Sequence, residues 1–225
     1  MKNGALRGII QFILALAVVI LLEMFYPTII AKLKINATGS TKDIIYFVKY
    51  LIELIIVVVI YHGEVFTGKS RFNKSLLSSS IIALVTFIVM VVFTLILKKV
   101  LLTFNISDSS NFINYFAQTM TFERALVMII ECFIKPCLIC SIFVLGISNI
   151  ISKEYAGMLI AGLAYGAFLM FLNHISFNSC LYLIIPVVNV IALTYLYKST
   201  GNIYTCFITF ILYNLCGGLL LSYIL

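Results

Sequence analysis

Two pairs of opposite charges interrupt stretches of the chain that are otherwise apolar: Lys49 with Glu53, and Glu131 with Lys135. Each pair is four residues apart, so each shares one helix face and can form an ion pair that lowers the cost of both charges. In the second pair the glutamate comes first, the better orientation, and Pro136 follows at once. A proline inside a helix removes a backbone hydrogen bond and is expected to kink it. A kinked helix bearing a carboxylate can be the floor of a site, and the same residues can equally fix helix packing; the local sequence leaves both readings open. A charge at mid-bilayer costs about 2.5–3.5 kcal/mol on insertion scales, so intramembrane charges are where function concentrates. Other polar residues in apolar surroundings are Glu23, Asn173, His174, Asn189 and Asn214. Taken singly, Glu23 reads as a carboxylate near the membrane interface, reached by water. His174 reads as a satisfied packing residue. Asn214 reads as glue between helices, with Gly217 and Gly218 beside it allowing close approach.

The elements that must position these residues follow from composition. The 225 residues are 63% hydrophobic and 10% charged, with a mean hydropathy of +1.18. No polar stretch is long enough to build a soluble domain. Several apolar stretches approach or exceed the ~20 residues that cross a ~30 Å hydrocarbon core. A β-barrel would instead show alternating segments of about ten residues. The expected fold class is all-α: a polytopic transmembrane helix bundle in one integral membrane domain, residues 1–225. About seven spans are expected, near 8–31, 44–62, 76–97, 123–148, 156–175, 180–197 and 203–225. The N-terminal MKNGALRGIIQFILALAVV begins like a signal peptide but runs on without a small-residue cleavage site, so it is expected to stay as the first span. Turn chemistry marks NATGSTKD (36–43), HGEVFTGKSRFNKS (62–75) and KSTGN (198–202) as connections. The longest connection, 98–122, carries Phe112, Tyr115 and Phe116, which fit a short interfacial helix. Lysines and arginines divide almost evenly between the two sides, so they do not set the orientation.

The net charge of +7 reads as basic residues holding helix ends at the membrane surface, not as a nucleic-acid footprint. The six cysteines (Cys132, Cys137, Cys140, Cys180, Cys206 and Cys216) lie in or beside apolar stretches and form no disulfide framework. Cys137 and Cys140 can share a helix face, but without histidine or further thiols nearby no metal site is expected. No cofactor is expected either.

Taken in chain order, three stretches resemble the motifs of the CPBP family, the CAAX prenyl protease type II, bacteriocin-processing and bacteriocin-immunity (Abi) membrane proteins. ALVMIIECFIKPCL resembles the family's EExxxR motif, with Ile130 at the first glutamate, Glu131 at the second and Lys135 at the arginine. MFLNH resembles FxxxH, with Met170 for phenylalanine and His174 retained. YLYKSTGNIYTCFITFILYN resembles the HxxxN helix and its approach, with Phe210 at the histidine and Asn214 retained. The likeness covers residues 115–225. PrsW-type proteases, with an EExxK motif, are approached less closely. The CPBP resemblance implies a multi-pass protein of a bacterial cell membrane. In active members the first glutamate and the histidines activate water and the asparagine helps hold the oxyanion, which makes Glu131, His174 and Asn214 the catalytic candidates here. Lys135, Asn173, Asn189, Lys49 and Glu53 are the binding candidates. Ile130 takes no proton and Phe210 orients no water, so the expectation is a degenerate protease site. Such a protein would hold a membrane protein or peptide partner in an immunity, scaffold or regulatory role. An active intramembrane endopeptidase using Glu131 and His174 is the alternative. A small permease, with Lys49, Glu53 and Glu131 lining a path, is the third.

Overall fold

The computed structural model describes residues 2–32, 40–65, 76–103, 119–173, 181 and 183–224. Seven long helices occupy them. These are α1 (Lys2–Lys32), α2 (Ser40–Ile60), α3 (Leu76–Thr103), α4 (Phe122–Ile150), α5 (Glu154–Asn173), α6 (Ile184–Thr200) and α7 (Ile203–Ile224). One helix lies over each of the seven expected stretches. Four of them, α1, α3, α4 and α5, are long and apolar enough to cross a membrane, which makes the chain a membrane protein. The apolar parts of α6 and α7, Ile184–Thr200 and Ile203–Gly217, are shorter. Helix α2 carries Lys42, Asp43, Lys49 and Glu53 within 21 residues.

Several expected boundaries move. NATGSTKD was expected to be a connection throughout, but Ser40–Asp43 form the first turn of α2, with Asp43 where the helix dipole favours a carboxylate. Residues 98–103, expected in a connection, continue α3, and Thr103 Oγ1 donates to the Lys99 carbonyl at 2.9 Å. The stretch with Phe112, Tyr115 and Phe116 lies outside the described residues, as do 66–75 and His174. In KSTGN the residues Lys198–Thr200 finish α6, and only Gly201 and Asn202 connect it to α7. Gly201 adopts φ 64°, which glycine takes without a Cβ clash, and its N–H closes α6 on the Tyr197 carbonyl at 2.7 Å. Asn202 Oδ1 then accepts from the Tyr204 N–H at 2.9 Å and starts α7.

Helix α4 is the centre of the bundle: 56% of its apolar stretch is buried, against 17% for α3. Helix α1 packs on its C-terminal part, α2 on its N-terminal part, and α5, α6 and α7 contact it too; α3 packs on α6 and α7. The α5–α6 contact depends on two glycines one turn apart. A Cβ at Gly162 would lie 2.6 Å from the Ile191 side chain and 2.9 Å from the Val187 carbonyl. Gly166 makes room for Val187 in the same way. Small residues at this spacing let helices approach where lipid removes the hydrophobic drive to associate. Outward, α3 presents Ile81, Leu84, Val85 and Ile88, an apolar face suited to lipid.

Candidate functional site

The site starts with the backbone of α4. This helix leaves the α register twice, in π turns at Ile130–Ile134 and Cys140–Leu145, with Pro136 between them. The expected kink therefore takes the form of a register change. In the first π turn the Lys135 N–H donates to the Ile130 carbonyl, five residues back. The next donor in that register would serve the Glu131 carbonyl, but it is Pro136, which has no N–H. Asn214 on α7 fills the gap, its Nδ2 donating to the Glu131 carbonyl at 2.9 Å. An unmet carbonyl in an apolar bundle would cost about 1–3 kcal/mol, so Asn214 is tied to α4 by the consequence of its proline. π turns occur often at functional sites because they re-aim neighbouring side chains.

Glu131 and Lys135 form the expected i,i+4 pair, with Nζ and Oε1 2.5 Å apart. The expected i,i+4 pair on α2 is present too, but its lysine is shared with a second carboxylate. Lys49 Nζ is 3.8 Å from Glu53 but 2.6 Å from Glu23 Oε1 on α1. The short contact is poorly aligned for a hydrogen bond, so it is chiefly coulombic. Glu23 is partly exposed and also has partners within the bundle. It pairs with Lys49 and accepts from the Tyr50 hydroxyl at 3.0 Å. The rings of Tyr26, Tyr46 and Tyr50 surround the Lys49 ammonium at 5.2, 5.2 and 4.0 Å. The Lys135 ammonium also lies 5.2 Å from the Tyr50 ring. Such rings favour a cation through their quadrupoles. This tyrosine box escaped the sequence reading. Its available signal was the i,i+4 spacing of Tyr46 and Tyr50, on either side of Lys49.

These groups border one cavity of about 1160 Å³ between the helices. Glu23 and Glu53 line it from α1 and α2, Glu131 and Lys135 from α4, Asn189 from α6, and Asn214 and Phe210 from α7. The rest of the wall is mostly apolar and aromatic, including Leu138, Phe143, Phe168 and Tyr213. Lys49 is buried behind this wall. Ile130, at the position of the resemblance's first glutamate, is fully buried and packs in the core. Asn173 ends α5, and its side chain lies outside the described residues. Glu53 is fully buried and neither carboxylate oxygen has a hydrogen-bond partner; Asn189 Oδ1 is buried and also lacks one. Among the described residues no three histidines, cysteines or carboxylates come together as metal ligands.

The Glu131 carboxylate is occupied by Lys135, and the Asn214 amide by a backbone carbonyl. A general base needs reach to the proton it takes, and an oxyanion donor must face the developing charge. Compared with known proteins, the chain matches no protein-family model, no curated protein and no solved structure.

Proposed function

We propose that this protein is a multi-pass, CPBP-like helix bundle with a degenerate protease site, and that it holds a membrane peptide or a segment of a membrane protein in its central cavity. All seven helices would cross the bilayer, and the role would be immunity, scaffolding or regulation in a bacterial cell membrane. The observation that carries this reading is the cavity itself. It joins apolar walls to a few polar groups, as binding sites do, and exceeds the roughly 300–1000 Å³ of most small-molecule pockets. Its motif residues are engaged in structure: Glu131 with Lys135, and Asn214 with the backbone of α4. Ile130 and Phe210 stand where the resemblance asks for a proton acceptor and a histidine, which supports binding over cleavage.

A photo-crosslinking residue at Phe168, in the cavity wall, compared with one at Ile88 on the lipid-facing side of α3, tests this in the protein's own membrane. Uncut peptide adducts at position 168 alone are expected, unchanged in Glu131→Gln. Cleaved fragments that disappear in Glu131→Gln would favour the peptidase. Lipid adducts alone at both positions would refute a peptide guest. The permease reading draws on Glu53 and Glu131 sharing one cavity, and solute flux in proteoliposomes would favour it instead.

A further inference from the structure

The cavity's charges do not balance. Glu23, Glu53 and Glu131 supply three carboxylates, and Lys49 and Lys135 two ammonium groups. Glu131 is matched by Lys135 at 2.5 Å, while Glu23 and Glu53 share Lys49 at 2.6 and 3.8 Å, so Glu53 holds the weaker part of one shared cation. A second observation agrees with this bookkeeping. The buried polar atoms in the cavity wall that lack a hydrogen-bond partner are both Glu53 oxygens and Asn189 Oδ1, all acceptors. A buried ionised carboxylate without a hydrogen bond is costly, and the cost is relieved by a donor that brings positive charge.

We infer that the cavity selects a guest carrying a primary ammonium or guanidinium group on an apolar body. The group is the lysine or arginine side chain of a peptide inserted in the membrane, and it is received by Glu53 with Asn189 as the second acceptor. The inference rests on the proposed peptide-holding function and names what that function recognises. Glu53 reaches the guest by turning its side chain from the wall into the cavity. The Lys49 ammonium stays with Glu23 and the tyrosine rings, so it does not compete for the freed position.

The test uses the full chain in a neutral detergent and fluorescently labelled alanine–leucine peptides with lysine, glutamine or glutamate at the centre. The lysine peptide is expected to bind about tenfold or more tighter than the glutamine peptide, the ratio of one charge-assisted hydrogen bond, and the glutamate peptide weakest. Glu53→Gln is expected to close the lysine–glutamine gap. Asn189→Leu, which removes an acceptor but no charge, is expected to narrow it, and this variant decides the matter if Glu53→Gln fails to fold. Equal binding of the lysine and glutamine peptides would overturn the inference and leave peptide holding intact. So would a gap that survives both substitutions. If no peptide binds, the peptide-holding function falls, and dodecylammonium against dodecanol decides the rest. A thermal shift from the amine alone, lost in Glu53→Gln, would keep the cation preference; no shift would overturn it.

Discussion

Helices α2 and α4 carry the same two charges at the same spacing, in opposite order, and the two pairs behave differently. On α4 the glutamate precedes the lysine and the pair is closed at 2.5 Å. On α2 the lysine precedes the glutamate and the two stand 3.8 Å apart, with the ammonium drawn to Glu23 on α1. Side chains on a helix lean toward its N-terminus. Lys135 therefore leans back over Glu131, whereas Lys49 leans away from Glu53. Spacing brings charges within reach of each other; order and the neighbouring helix decide who pairs. The closed pair serves the geometry of α4, and the open one leaves a carboxylate for something else.

This contrast can be broken at four places by unfolding measurements in detergent micelles. Lys49→Met should cost the most, about 3–5 kcal/mol, because it takes the shared cation from the buried Glu53 and the partly buried Glu23. A cost no larger than that of Lys135→Met would end the distinction between the pairs. Asn214→Leu should cost about 1–3 kcal/mol by leaving the Glu131 carbonyl unmet. A double variant with Pro136→Ala, which returns an N–H to α4, should recover part of that loss; no recovery would mean that Asn214 acts elsewhere. Lys135→Met should cost about 1 kcal/mol or less, since the Glu131 and Lys135 side chains are 37% and 29% exposed. Glu53→Leu should be near neutral in the guest-free protein, since Lys49 keeps Glu23 and a poorly satisfied acid is removed. A large destabilisation by Glu53→Leu would show that Glu53 is a structural partner of Lys49.

The helices were legible because length and apolarity mark them directly, and residues four apart share a face wherever the helix packs. The Glu131–Lys135 contact follows from those rules. The link from Lys49 to Glu23 does not, since it depends on how α1 lies against α2, which neither helix's own pattern encodes. Pro136 was visible, but the π turns beside it were not, because proline dictates a missing donor and not the register that absorbs it. The contact from Asn214 to the Glu131 carbonyl spans 83 residues and answers that missing donor. The TGNIY stretch, which carried much of the family resemblance, has a local explanation as well: Gly201 stops one helix and Asn202 starts the next. Asn214 meeting the Glu131 carbonyl joins two motif residues from different helices, and it too has a local explanation in the missing N–H of Pro136.

Glu53 has no hydrogen-bond partner and holds Lys49 at a longer distance than Glu23 does, so its hold on that lysine should be the weaker one. Double-mutant cycles on Lys49 with Glu23 and on Lys49 with Glu53 measure this most directly, with unfolding read in the same micelles. The expected Lys49–Glu23 coupling lies in the roughly 0.5–3 kcal/mol range of contacting residues, clearly above the coupling of Lys49 with Glu53. A Lys49–Glu53 coupling equal to or larger than that with Glu23 would contradict this: Lys49 would then belong to Glu53, and that carboxylate would not be available to a guest.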